Sequence, residues 1–253
     1  MRRHLQVLGA PAVLELDVKG DGTKVPLTAL LPHARRASDT LEAHVRGRVA
    51  LSGVTRTCAP KCAACCSQLV PVAPIEALGI AHAVEAMAEP SRSRTRRRFA
   101  DAVARLERAR LLNADDPKGR TAMQVQERPG ESTWEALNRR YRELRMPCPL
   151  LGQDAMCTVY ESRPAACREY AVSSAREICS DPRGAPAVLP RPVRLGEALA
   201  DTGAALMNDD TRFVPLPLAL EWASEASPRW EAQVFDEAEA VRALLDALET
   251  SDT

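Results

Sequence analysis

Apolar and polar residues alternate through Val13-Leu-Glu-Leu-Asp-Val18, the period of a half-buried strand. Gly20-Asp21-Gly22 then supplies a turn before Lys24-Val25-Pro26-Leu27, which predicts a small N-terminal β-hairpin. From about Leu27 to Leu51 the period lengthens to that of a helix, with Leu30, Leu31, Leu41, Val45 and Val49 on one stripe and Gly53 beyond its end. Between Pro74 and Pro90 a second helix is predicted over Ile75–Met87, and a third follows over Ser91–Leu112 with Phe99, Val103, Leu106 and Leu111 inward. The stretch 113–130, rich in Asp, Pro and Gly, reads as an excursion loop. Ser132-Thr-Trp-Glu135 is a capping box that starts a helix over Thr133 to about Arg145, with Trp134, Leu137, Tyr141 and Leu144 facing in. Further helices are predicted over about Arg163–Ser173, over Leu195–Met207 and over Trp230–Leu248. The pattern therefore predicts a mainly α protein: an irregular helical domain with a small N-terminal β-hairpin. Three segments divide it: 1–53, hairpin and helix; 54–182, holding every cysteine; and 183–253, a C-terminal helical extension packing on the same domain.

Composition narrows the partners. The chain has 253 residues, 45% of them apolar, enough for a sizeable core. Its 34 basic and 34 acidic residues cancel, so neither nucleic acid nor a membrane surface is an expected partner. Arg92, Arg94, Arg96, Arg97 and Arg98 form a basic run, but no aromatic residues interleave for base stacking, and it reads as a solvated helix face. Two arginines precede a short apolar run at the start, interrupted by Gln6 and Glu15, so a cytoplasmic chain is expected rather than an exported one.

The candidate chemistry lies in the cysteines. Cys58, Cys62, Cys65 and Cys66 fall within nine residues, and Cys148, Cys157, Cys167 and Cys179 form a second group after a long cysteine-free gap. An even count of eight permits a disulfide scaffold. Against it stand the crowding of adjacent Cys65 and Cys66, a chain too long to need staples, and a reducing compartment. Thiolate ligation fits the spacing better and selects a soft or borderline metal: zinc, copper(I), or iron with an iron–sulfur cluster as one form, of which zinc or iron is expected. A helix from Pro60 to about Leu69 would set Cys62, Cys65 and Cys66 on one face with Cys58 at its N-terminus, while Cys167 lies one turn into its helix and Cys179 in coil beyond. Lys61, Arg163 and Arg168 lie beside ligands and are expected to donate to sulfur and offset its charge. His4, His33, His44 and His82 fall outside both groups, and no Ser, Asp or Glu arrangement marks a hydrolytic site, so no catalytic residue is assigned.

Cys58-x3-Cys62-x2-Cys65-Cys66-Ser-Gln-Leu-Val-Pro-Val, followed by Cys148-Pro-Leu-Leu and Cys157-x2-Tyr160-x2-Arg163-Pro164-x2-Cys167-Arg168, resembles the bacterial YkgJ-type cysteine-cluster family, the CxxCxxCC zinc- or iron-chelating domain. All eight of that family's cysteines have counterparts here, over about Cys58 to Cys179. The family often has glycines around the second cysteine, where this chain has Lys61 and Ala63. The resemblance implies metal chelation without fixing the metal, and a related group includes a flagellin lysine methylase that implies an iron–sulfur enzyme as the alternative. A metal-trafficking or redox-sensing module is the third reading. The spacing Cys58-x3-Cys62-x2-Cys65 also resembles the cluster motif of radical enzymes, but too few strand-like runs are present to build the barrel those enzymes use.

Overall fold

A computed structural model describes residues 1–20, 22–59, 61–112, 128–130, 132–191 and 193–250. Most of the predicted loop at 113–130 lies outside these residues. Fifteen strands and α-helices occur among the described residues. They are β1 (Arg2–Val7), β2 (Ala10–Glu15), β3 (Lys24–Pro26), α1 (Leu30–Leu51), β4 (Pro71–Val72), α2 (Pro74–Glu85), α3 (Ser91–Arg108), α4 (Thr133–Glu143), α5 (Ala165–Glu169), α6 (Arg176–Ser180), α7 (Leu195–Met207), β5 (Val214–Pro215), α8 (Ala219–Trp230), β6 (Val234–Asp236) and α9 (Glu237–Thr250).

The N-terminal hairpin is present with different strands from those expected. β1 pairs antiparallel with β2, Leu5 opposite Ala12 and Val7 opposite Ala10. Leu8 and Gly9 close it with φ of 51° and 71°, the two left-handed residues that match the twist of a two-residue turn. Leu5, Val7, Ala12 and Leu14 face the core, and Val13 is exposed between them. β3, expected to complete the hairpin, pairs instead with β6, Val25 opposite Phe235. That partner lies too far along the chain for a local pattern to reveal.

One apolar core runs from Leu5 to Leu248. α2 lies deepest, burying Ile75, Leu78, Ile80 and Val84, each worth roughly 2 kcal/mol of transfer free energy. It packs on α8, while α7 packs on α9. The last helical stretch is split where a single helix from Trp230 was expected: α8 ends at Trp230, whose ring meets Trp222 edge-on at 5.5 Å, and β6 intervenes before α9. The capping box forms as predicted, with the Glu135 N–H donating to Ser132 Oγ at 3.3 Å and the Ser132 N–H donating to Glu135 Oε2 at 2.9 Å. Of that helix's expected inner face, Tyr141 is buried, but Trp134 is exposed. No helix among the described residues is long and apolar enough to cross a membrane.

Candidate metal centre

Two stretches of irregular chain, each pinned to helices, form the walls of the centre. The first runs from Thr57 to Gln68. The Thr57 N–H donates to the Val172 carbonyl at 3.0 Å, and its hydroxyl reaches the Ser174 carbonyl at 2.5 Å. Lys61 has φ of 62°. The expected helix from Pro60 to Leu69 is absent: Pro60 is outside the described residues, and only Ala64–Ser67 coil, as a tight 3₁₀ turn carrying Cys65 and Cys66. A left-handed residue just before Cys62 breaks the helical run, so Cys58 and Cys62 sit in coil rather than on a shared helix face.

The second stretch leaves α4 through buried Met146. The Cys148 N–H donates to the Cys66 carbonyl at 2.6 Å, a main-chain bond joining the two cysteine groups directly. Leu151 and Cys157 then pair across a turn centred on 152–156, in which the Gly152 N–H donates to the Met156 carbonyl at 2.7 Å. Arg98, from the basic run on α3, holds this turn by donating to the Leu151 carbonyl at 2.7 Å. Its neighbours Arg92 and Arg96 pair with Glu89 and Glu85.

α5 carries Cys167 and is shorter than expected, spanning five residues. Its N-terminus is stapled from below by Glu76, fully enclosed in α2. Glu76 Oε1 accepts the Ala165 N–H at 2.7 Å, and Oε2 accepts the Ala73 N–H at 2.9 Å. Burial raises the Glu76 carboxyl above its usual range, opposed by those two N–H donors and by Arg35 and Arg168. A carboxylate suits the place because both of its oxygens face donors. Cys179, expected in coil, is buried within α6. Arg142 on α4 donates to the Gly184 carbonyl at 2.9 Å and also to that of Asp181, fixing the turn beyond α6.

These elements bring all eight cysteines onto the wall of a single cavity of about 520 Å³. Every one is a free thiol, so the disulfide alternative is not realised. The cavity is wider than a closed tetrahedron of thiolates, whose metal–sulfur bonds run about 2.3 Å. Accordingly, no group of three His, Cys, Asp or Glu side chains among the described residues already stands close enough to surround an ion. The donor set nonetheless has the chemistry of a soft-metal site: sulfur lines the wall, and no histidine is among the lining residues. His33 and His82 instead pair with Glu237 and Glu231.

Cations surround the sulfurs. Lys61 and Arg163 line the cavity, joined by Arg46, Arg56 and Arg176, against Glu42 as the one lining carboxylate among the described residues. Arg56 Nη1 pairs with Glu42 at 2.5 Å. Arg163 lies over the Tyr160 ring at 4.4 Å. The Nε atoms of Arg56 and Arg163 are buried with no hydrogen-bond partner. Arg168 does not line the cavity. Its guanidinium is buried, donating to Asp39 at 2.8 Å and to the Arg163 and Glu161 carbonyls, so in place of the expected donation to sulfur it ties backbone carbonyls to α1.

Sequence reading passed over Arg46, Arg56, Arg176 and Glu42. Glu42 and Arg46 are one helical turn apart on α1, and Arg56 stands two residues before Cys58, the only local signals available. The thiols differ in their surroundings. The hydrogen bond from Cys66 holds Cys65 down at about 7, against burial and with help from Arg163. The same bond, followed by burial, pushes Cys66 up. Burial pushes Cys148 up to about 12 and raises Cys167 well above the ordinary thiol range.

Residues 57–184 match the family model CxxCxxCC, described as a "Putative zinc- or iron-chelating domain". No curated protein and no solved structure matches the chain.

Proposed function

The chain belongs to the CxxCxxCC family, a zinc- or iron-chelating domain by description, and from that premise we propose that it is a metal-binding protein holding zinc or iron through its cysteine thiolates. The ligands in this reading are Cys58, Cys62, Cys65, Cys66, Cys148, Cys157, Cys167 and Cys179. One observation carries it: groups of cysteines more than eighty residues apart in sequence line one cavity, all as free thiols. Disulfide bonding would have paired them, and unrelated core cysteines would have scattered.

A bound ion supplies the positive charge that lets several neighbouring thiols ionise together. The chain's own residues do the rest. Lys61, Arg56 and Arg163 offset the remaining negative charge from the cavity wall, and Arg98 and Glu76 fix the backbone turns that present Cys157 and Cys167. Full thiolate coordination closes a site structurally, leaving no position for substrate, so a structural role follows for zinc. An iron–sulfur enzyme is the second reading, favoured by the volume of the cavity, which exceeds the needs of a single tetrahedral ion.

Anaerobic purification followed by elemental analysis and absorption spectroscopy tests the proposal. About two zinc per chain, with no visible colour, supports the structural site. Brown protein absorbing near roughly 400 nm supports the cluster. Cys65→Ser and Cys66→Ser are each expected to lower the metal content, and full stoichiometry in both variants contradicts the ligand assignment.

A further inference from the structure

The eight sulfurs differ in what stands behind them. Cys148 and Cys157 pack against the main core. Cys66 is bonded to Cys148 through the main chain, and Cys167 rides on α5 above the Glu76 staple. Cys58 and Cys62 sit elsewhere, packed with Tyr170 around a separate small cluster of Ala64, Val172 and Cys179. The 3₁₀ turn that carries Cys65 packs on α6, which carries Cys179. Cys65 shares that turn with Cys66, whose carbonyl accepts the Cys148 N–H.

We infer that the thiolates form two separate metal centres of unequal lability: an inner one of Cys66, Cys148, Cys157 and Cys167, and an outer one of Cys58, Cys62, Cys65 and Cys179 that releases its ion first. This division rests on the metal-binding reading above and goes beyond it. Four thiolates complete a tetrahedral site, so neither set needs a donor from the other. The inner ligands stand on a paired turn, a main-chain bond between the two cysteine groups and a helix stapled to α2. Two of the outer ligands stand on an irregular strap whose Thr57, Ala59 and Lys61 are exposed. Behind them is an apolar cluster of three buried residues. Because a site's surrounding shell controls both solvent access and ligand stiffness, the strap is the side from which a chelator enters and a thiolate lets go.

The test loads the full-length chain anaerobically with zinc chloride and follows its release to a colorimetric chelator. Two equivalents are expected in two phases, the second slower by roughly tenfold or more. Cys62→Ser, placed on the exposed strap where folding is least at risk, removes the fast phase and keeps the slow equivalent. Cys157→Ser removes the slow phase; where it does not fold, the outcome with Cys62→Ser decides. Release of both equivalents in a single phase, or loss of both ions on Cys62→Ser, overturns the division while leaving metal binding intact. Failure to take up any zinc or iron overturns the metal-binding reading and the division together.

Discussion

Lys61 turns the strap between Cys58 and Cys62 through a φ of 62°, a conformation that costs a residue with a Cβ about 1–2 kcal/mol. Glycine would adopt this left-handed region freely, whereas lysine does not. Lys61→Gly and Lys61→Ala both remove the cation, so their difference isolates the backbone. The glycine variant is expected to be the more stable by about 1 kcal/mol in urea unfolding, and equal stabilities would show that Lys61 is not strained in solution. Proximity in sequence was a poorer guide to charge. Arg163 and Arg168 both flank Cys167 within five residues, yet one lines the cavity and the other does not, donating instead to Asp39 and to two carbonyls. Which way a long side chain points depends on packing, and packing leaves no trace in spacing.

Elements whose signals are local were legible. The Ser132–Glu135 capping box, the span of α7 and the deep face of α2 all follow from adjacent residues. Elements around the sulfurs were not, because there backbone geometry answers to side chains brought from elsewhere. The segment of Cys65 and Cys66 became a short 3₁₀ turn and that of Cys167 a five-residue helix, rather than full helices, while Cys179, expected in coil, lies in a second five-residue helix. The joint between α7 and α8 is a more ordinary case, and it makes a pH prediction. α7 ends at Asn208, with φ of 47°. Asp209 then accepts the Thr211 N–H at 2.9 Å and pairs with Arg229 of α8 at 2.6 Å, while Arg229 also donates to the Met207 carbonyl at 3.0 Å. Burial alone would raise the Asp209 carboxyl, but Thr211 and Arg229 prevail and hold it below its ordinary 3.8. A lowered carboxyl contributes stability above its unfolded value and loses it as pH falls through the folded one. Asp209→Asn is therefore expected to be less stable than the parent at neutral pH by about 1 kcal/mol, with the gap closing below pH 3.8. Urea titrations at several pH values check this, and a gap that persists at low pH would assign the effect to shape rather than charge.

At the scale of the whole molecule, the two β-pairings that close the chain on itself, β3 with β6 and β4 with β5, join segments far apart in sequence, and neither was visible beforehand. The meeting of the two cysteine groups spans a comparable distance, yet it was legible, because shared chemistry rather than shape signals it. This contrast bears on what the metal does for the fold. The large apolar core reaches from Leu5 to Leu248 and is built of leucine, isoleucine, valine and alanine from nearly every helix, with Cys148 and Cys157 only at its margin. The small cluster of Ala64, Val172 and Cys179 has no comparable apolar support. Stripping the metal from anaerobic protein is thus expected to leave most of the helical circular dichroism in place. Amide hydrogen exchange should accelerate selectively along Thr57–Gln68 and Ala165–Ser180, the walls of the cavity, since stability is distributed by local burial rather than evenly. Collapse of the helical signal together with metal loss would instead mean that the sulfurs hold up the whole core, as in small zinc domains that are unfolded without their ion.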